Sequence, residues 1–507
     1  MTIDRKKYCV YGEWRESKTT EYKEVTNSST GEVLAEVPLC TADEVAEAID
    51  SAQQAFESWS KVSLSKRVQY MFKWRDILVA HLDELSELCA KEHGKNLNES
   101  RGDILKAIEP TELACSLPLA IQGSGALQVT TGFDCTTYRK PLGVIGGIVP
   151  FNFPAMIPWG WMVPLAIACG NSVVLKAATP TPLTSMRILE LFYEEGGFPK
   201  GLVNLVTCTH HESDQLLTDP RVKAITFVGT TRVGKEIYAK AGLNGKRVQA
   251  QTEAKNHALV LADCDLEATT SAIINSAFGC AGERCMALPA VCVQEEIADE
   301  FVKMICEKAA NLKLGLAYDP ETDLGPVVSA AHKERVLNWI EKGIEEGAEL
   351  VLDGRNPEVP EECKDGFFIG ATIFDHVTED MSIGHDEIFG PVLSIKRVKD
   401  FDEGIKIMND NPFANGSCIF TQDGYFARRF EMETDGGMVG INVGIPVPSA
   451  YYPFSGNKDS FFGDQHVLGI DGYRFYTRAT TVTKHWFAEG SKPAKKMDSW
   501  EGTVERI

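Results

Sequence analysis

From residue 144 onward the chain alternates between two textures. Short runs rich in β-branched residues, at 144–149, 172–175, 203–206 and 224–228, are separated by stretches with helical spacing. Strands joined through helices cannot pair as hairpins. They return in the same direction and form a parallel sheet covered by the helices. A second series of the same kind begins at 257–261, passes through 291–294 and ends near residue 441. The expected fold is therefore α/β, with two such domains in succession. A chain of 507 residues is long enough for two or three domains with substantial cores. Upstream, residues 43–92 carry apolar side chains at helical spacing: Ala46, Ile49, Ala52 and Ala55, then Val68, Phe72, Ile77 and Leu78. Thr41 and Asp43 provide a start signal and Gly94 a stop. The stretch from Tyr473 to Val482 is rich in Thr, Tyr and Phe and reads as a late strand. Beyond Trp486 the chain is polar and reads as a mobile tail.

Charge and composition exclude several classes. A net charge of -21 leaves no basic footprint for nucleic acid. No apolar run approaches the roughly 20 residues that a membrane helix needs. The first residues lack the apolar core of a signal peptide, so a cytoplasmic protein is expected. The 14 cysteines include no CxxC pair, so they are expected to be free thiols, mostly small core residues, with no metal site. The question is whether one of them differs.

Five motifs carry possible chemistry. Phe227-Val228-Gly229-Thr230-Thr231-Arg232-Val233-Gly234 places two glycines around a strand-to-helix junction, where free N–H groups and the helix dipole favour a phosphate. A plain glycine turn explains it equally well. Val174-Leu175-Lys176 ends an apolar run with a lysine, either a ligand contact at a strand's C-terminal end or a surface lysine. In Pro150-Phe151-Asn152-Phe153-Pro154 a single amide is available as an oxyanion donor, although a turn asparagine is the simpler account. In Gly279-Cys280-Ala281-Gly282-Glu283-Arg284-Cys285-Met286, glycines allow close backbone approach and Arg284 is expected to favour a thiolate on Cys285. Buried inert thiols are the better account of Cys280, Cys169 and Cys292. Finally, Glu387-Ile388-Phe389-Gly390-Pro391 offers a carboxylate before an aromatic and a Gly-Pro turn, suited to a ribose hydroxyl pair or to an ordinary loop.

Each motif is weak alone; their order along the chain is specific. Together they resemble the aldehyde dehydrogenase superfamily, from about Tyr8 to Trp486. The resemblance implies a Rossmann-like cofactor domain (1–123 and 142–249), a second α/β catalytic domain (250–445), a β oligomerisation arm (124–141 and 467–487) and a polar C-terminal tail (488–507). It implies a homodimer or homotetramer acting on a small molecule. Cys285 matches the nucleophile, and its N–H with the Asn152 amide matches the oxyanion hole. Val149, Phe151, Lys176, Thr179, Pro180, Gly229, Thr230, Gly234, Thr252, Glu387 and Phe389 match the cofactor-binding positions. The cofactor implied is NAD. Where relatives that prefer NAD carry a glutamate, this chain has Thr179, which cannot repel a 2′-phosphate, so NADP use stays open.

The stretch that holds the hydrolytic base in most of the superfamily reads here Gln251-Thr252-Glu253-Ala254-Lys255-Asn256-His257. Gln251 stands at the base position, and an amide takes no proton from water near neutral pH. The thioester should then wait for a thiol such as coenzyme A. Ala254-Lys255-Asn256-His257, the Cys285 segment, Pro453-Phe454-Ser455-Gly456 and Phe461-Phe462-Gly463 resemble the coenzyme A-acylating, methylmalonate-semialdehyde dehydrogenase branch. That branch converts malonate or methylmalonate semialdehyde to acetyl- or propionyl-coenzyme A with loss of carbon dioxide. It implies substrate contacts at Arg284, Lys106, Phe153 and Phe454. Lys106 stands where the branch has arginine and lacks the bidentate fork. A different small acid, sulfonate or phosphonate aldehyde is the alternative substrate. Glu253 is the alternative base: on a continued strand it would share a face with Gln251 and restore hydrolysis to the free acid.

Overall fold

The computed structural model describes residues 3–487. The four β-rich runs form strands Val144–Ile148, Ser172–Lys176, Val203–Val206 and Val222–Val228, and a fifth parallel strand follows at Arg247–Gln251. Their spatial order starts at Val203–Val206 and passes through Ser172–Lys176, Val144–Ile148 and Val222–Val228 to Arg247–Gln251. The chain thus builds outward in both directions from Val144–Ile148. Above the C-terminal ends of strands Val144–Ile148 and Val222–Val228 the connections diverge, which leaves the crevice in which such sheets bind ligands. Antiparallel strands flank these five: Tyr8–Val10 and then Glu13–Arg15 beyond Val203–Val206, and Phe461–Gly463 beside Arg247–Gln251. The second edge strand comes from beyond residue 445, so the late chain crosses back to the first sheet.

The second sheet runs Glu349–Leu352, Thr372–Asp375, Val392–Val398, Ala290–Gln294, His257–Val260, Gly416–Phe420, Met438–Ile441, parallel except for Glu349–Leu352. Strands Val203–Val206, His257–Val260 and Gly416–Phe420 are buried along their whole length, as expected of strands covered on both faces.

The helical region 43–92 resolves into three helices. Ala42–Trp59 starts at a capping box between Thr41 and Glu44, and Leu64–Ala80 is capped by Ser63. Leu82–His93 stops at Gly94, whose φ of 99° needs glycine. The restart at Leu64 resets the helix phase. Phe72, expected on the buried face, is therefore exposed, and Met71 and Trp74 take the core. The next helix, Leu97–Cys115, carries Glu99, Asp103, Lys106 and Glu109 in one stripe.

A third sheet joins Gly125–Thr130, Phe133–Pro141 and Thr477–His485. The late strand expected from Tyr473 is shifted: Gly469–Phe475 is helical, and the strand pairs with Phe133–Pro141 only from Thr477. The Tyr473 hydroxyl instead donates to Leu113 O at 2.5 Å within the core. Among the described residues no helix is long and apolar enough to cross a membrane. The polar tail expected at 488–507 lies outside the described residues.

Candidate active site

Cys285 follows a left-handed turn. Cys280, Ala281 and Gly282 have φ of 51°, 51° and 74°. At Gly282 a Cβ would lie 2.0 Å from Gly390 O, so both the dihedral and the approach demand glycine. The turn presses the Cys285 segment against the Glu387–Pro391 loop. There Phe389 is itself at φ 63°, and its carbonyl accepts from His332 Nε2 at 2.7 Å. The Cys285 carbonyl accepts from Asn256 Nδ2 at 3.0 Å and Asn415 Nδ2 at 3.2 Å, which fixes the residue from the other side.

Asn152 reaches this segment from the end of the first sheet. Its Nδ2 donates to Glu283 O at 3.0 Å. Its own carbonyl accepts from Lys95 Nζ at 2.6 Å. Lys95 pairs with Asp103 at 3.0 Å and lies 4.0 Å from the Phe153 ring centroid, with both charged side chains fully buried. Burial opposes the Lys95 charge, and Asp103 outweighs it and holds the ammonium protonated. Asp103 Oδ1 also accepts from Met156 N at 2.6 Å. Both ends of the loop that carries Asn152 are therefore tied to the helix Leu97–Cys115.

The electrostatics differ from the sequence expectation. Burial first, and then the Glu387 carboxylate, push the Cys285 thiol up to about 12. The N–H groups of Cys285 and Met286, and Arg284, work in the other direction without prevailing. Arg284 is committed elsewhere. Its guanidinium lies over Gly279, bonds Cys280 Sγ at 3.2 Å and pairs with Glu99 at 2.7 Å. The arginine expected to generate a thiolate thus leaves the resting side chain as a thiol. Glu387 is raised to about 8 by burial, against the Ala254 N–H at 3.1 Å, with the charge of Glu253 adding to the rise.

Cys285 opens onto a cavity of about 250 Å³. Phe153, Met156, Trp161, Phe454 and Val447 form its apolar wall, and Arg284 and Lys106 supply the positive groups. Lys106 pairs with Glu109 at 2.6 Å. Each cation is already matched by one carboxylate, so the pocket is close to neutral overall.

The cofactor positions gather around the crevice of the first sheet. Val149, Phe151 and Asn152 leave strand Val144–Ile148, and Phe151 packs edge-on to Phe389 at 5.8 Å. Lys176 ends the neighbouring strand, with Thr179 and Pro180 in the following turn. Lys176 is half-buried, and burial lowers its ammonium; no described residue accepts a hydrogen bond from it. Gly229 and Thr230 precede helix Thr231–Leu243, and Gly234 lies inside its first turn, where a Cβ would strike Thr252 Cγ2 at 2.3 Å. Thr252 Oγ1 donates to Asp459 O at 2.7 Å. An uncompensated ammonium, a helix N-terminus and the Glu387 carboxyl around one crevice suit a dinucleotide: phosphate at the helix, ribose hydroxyls at Lys176 and Glu387.

Glu253 is not brought to the thiol. The strand ends at Gln251, so the alternation that would align residues 251 and 253 is broken. Glu253 Oε2 instead accepts from Thr231 N at 2.7 Å, at the helix N-terminus. Gln251 does stay beside the thiol cavity, with Nε2 donating to Phe454 O at 3.2 Å.

The family model described as "Aldehyde dehydrogenase family" matches residues 14–482. The chain belongs to the aldehyde dehydrogenase family. It is 47% identical over 485 residues to malonate-semialdehyde dehydrogenase 2 of Oceanobacillus iheyensis, covering 96% of this chain and 99% of that one. It is 48% identical over 480 residues to malonate-semialdehyde dehydrogenase 2 of Bacillus thuringiensis strain Al Hakam, with 95% and 98% covered. Among solved structures, methylmalonate-semialdehyde dehydrogenase of Oceanimonas doudoroffii superposes with a TM-score of 0.93 at 40% identity, over 96% and 99% of the two chains. A Sinorhizobium meliloti 1021 protein assigned the same activity and complexed with NAD gives 0.94 at 36% identity, with 96% and 99% covered.

Several residues that shape the site in this aldehyde dehydrogenase were not singled out from the sequence. Lys95 and Asp103 read as ordinary charges near a helix start. Glu99 reads as a capping-box residue, which it also is, since Oε2 accepts from Asn96 N. Asn256 and Asn415 sit at strand starts. Only Glu99, Asp103 and Lys106 had a usable clue, their shared helical stripe.

Proposed function

We propose that this aldehyde dehydrogenase oxidises malonate semialdehyde, or its 2-methyl homologue, with NAD and passes the acyl group to coenzyme A. For malonate semialdehyde the products are acetyl-coenzyme A, carbon dioxide and NADH. The observation that carries this reading is the placement of Gln251 and Glu253. Gln251, an amide at the expected base position, stands beside the thiol cavity bonded to Phe454 O, and Glu253 is turned to a helix N-terminus. The malonate-semialdehyde names of relatives at 47–48% identity support the substrate class.

In this reading the Cys285 thiol gives its proton to water and Sγ attacks the aldehyde carbon. The Cys285 N–H and the second N–H of the Asn152 amide hold the oxyanion; removing such a donor typically costs about 10²- to 10³-fold in rate. Lys95 and Asp103 keep that amide in place. Arg284 and Lys106 receive the substrate carboxylate, and the small apolar cavity limits chain length. When bound, the nicotinamide ring takes up the hydride. Lys176 and Glu387 bind the two riboses, and the N-terminus of helix Thr231–Leu243 takes the pyrophosphate. Gln251 leaves the malonyl thioester unhydrolysed, so its carboxylate leaves as carbon dioxide, a proton from water replaces it on that carbon, and the acetyl group waits for the thiol. The sheet of Gly125–Thr130, Phe133–Pro141 and Thr477–His485 joins subunits into a homodimer or homotetramer.

Purified protein with NAD and malonate semialdehyde, assayed with and without coenzyme A, tests the reading. Sustained NADH formation only with coenzyme A, yielding acetyl-coenzyme A, is expected. Sustained turnover to the free acid without it overturns the acylating assignment. Gln251→Glu should introduce that hydrolysis.

A further inference from the structure

Arg284 reaches the thiol cavity with its charge already shared. Its Nη2 donates to Glu99 Oε1 at 2.7 Å and its Nε to Cys280 Sγ at 3.2 Å. Burial pushes the Cys280 thiol up to about 11, so at neutral pH it is an uncharged acceptor. Glu99 is the carboxylate that pairs with Arg284 among the described residues. The guanidinium rests on Gly279, where a Cβ would lie 2.3 Å from Nη2, 2.6 Å from Cζ and 2.8 Å from Nη1. Glu99 is fixed in its turn. Its Oε1 also accepts from Cys280 N at 2.7 Å, and its Oε2 accepts from Asn96 N at 3.1 Å. Both side chains of the pair are 13% exposed, and both line the cavity onto which Cys285 opens. The cradle joins the helix Leu97–Cys115 to the turn before Cys285, and it leaves Arg284 Nη1 without an acceptor among the described residues.

The inference rests on the acylating reading, in which Arg284 receives the substrate carboxylate. A carboxylate arriving here meets a cation that already has an anionic partner, so it is held more weakly than a lone arginine beside an apolar wall would hold it. The two halves of the reaction feel this oppositely. Tight binding of the carboxylate helps the aldehyde to load. In the loss of carbon dioxide the bond from the carboxylate to the neighbouring carbon breaks. Its electron pair passes into the thioester carbonyl as an enolate, and the carbon then takes a proton from water; no oxidant or reductant is consumed. The negative charge thus leaves Arg284 in the transition state, and whatever holds the carboxylate in the ground state slows the step. We propose that Glu99 is a positioning residue that seats the Arg284 guanidinium and weakens its hold on the substrate carboxylate, giving up affinity for malonate semialdehyde in exchange for faster decarboxylation. Glu99 acts through Arg284 and not on the reacting atoms.

Glu99→Gln keeps an oxygen for Arg284 and removes the charge. Two measurements read it. One is KM for malonate semialdehyde relative to KM for propanal, which has no carboxylate, so that general damage cancels. The other is the rate of carbon dioxide release in a single turnover with NAD and no coenzyme A, relative to the rate of NADH formation from propanal. In Glu99→Gln the relative KM should fall by about 3- to 10-fold, and relative carbon dioxide release should slow by a similar factor. Glu99→Asp, which keeps the charge, should stay nearer the parent in both. Gly279→Ala, which unseats the guanidinium, should raise the relative KM. Relative values unchanged in Glu99→Gln overturn the proposal, as does a lower KM without slower carbon dioxide release. A Gly279→Ala protein with the parent's relative KM overturns the seat. A parent protein that oxidises malonate semialdehyde and releases no carbon dioxide overturns the acylating reading itself, a result read before any variant is made.

Discussion

Cys285 begins in the wrong protonation state for a nucleophile. With its thiol pushed up to about 12 by burial and Glu387, only about one part in 10⁵ is thiolate at pH 7. Alkylation of Cys285 by iodoacetamide in the cofactor-free protein should therefore be slow at neutral pH. It should still be climbing above pH 9, where an ordinary cysteine has levelled off. Glu387 titrates near 8, so it is mostly neutral below that pH and repels the thiolate above it. Glu387→Gln should thus leave the alkylation rate almost unchanged below pH 8 and raise it above. An acceleration confined to low pH would contradict the assigned interaction.

Two helices hold the site from opposite sides, and each suggests a test. The N-terminus of helix Thr231–Leu243 has no side-chain cap from Thr230, and its first N–H is taken by Glu253. A carboxylate there competes with a pyrophosphate for the same dipole and repels it. Glu253→Ala should therefore tighten NAD binding several-fold by titration calorimetry without altering how the thioester is released; weaker binding would show that Glu253 supports the cofactor. On helix Leu97–Cys115, Asp103 meets Lys95 in a fully buried pair. Breaking such a pair leaves an unpaired charge and typically costs about 3–5 kcal/mol. Lys95→Met should lower the thermal midpoint markedly and, through the freed Asn152 carbonyl, reduce kcat. A variant as stable as the parent would mean that Asp103 finds another partner.

At the scale of the molecule, the active site is an interface. Asn152 and Gln251 come from the first sheet, and Cys285, Glu387 and Asn415 from the second. The third sheet shares no strand pairing with either, and strand Gly125–Thr130 shows Leu127 81% exposed and Val129 51% exposed on an outer edge. Apolar side chains on a free strand edge are what another subunit would cover. Leu127→Asp combined with Val129→Asp should shift the protein to a smaller species in sedimentation; an unchanged mass would place the subunit contact elsewhere.

Strand-helix alternation was enough to read both parallel sheets, because it is a local pattern with only one compact packing. Asn152 and Lys176 could be marked as candidates because they follow or end strands of the first sheet, where such folds place ligands; Cys285 and Glu387 lie in loops before strands Ala290–Gln294 and Val392–Val398, and only the order of the motifs along the chain marked them. Gln251, aligned with the base position of the superfamily that the chain resembles, pointed to a missing base. Tertiary structure decided the rest. Arg284 still acts to lower the Cys285 thiol, but burial of the thiol outweighs it. Glu253 left the thiol because the strand stopped two residues earlier. Lys95, Asp103 and Asn415 became part of the site only through burial against segments that no short-range pattern links to them. Side-chain direction, burial and charge pairing are properties of the packed chain, and they set protonation and hydrogen bonding where the chemistry occurs.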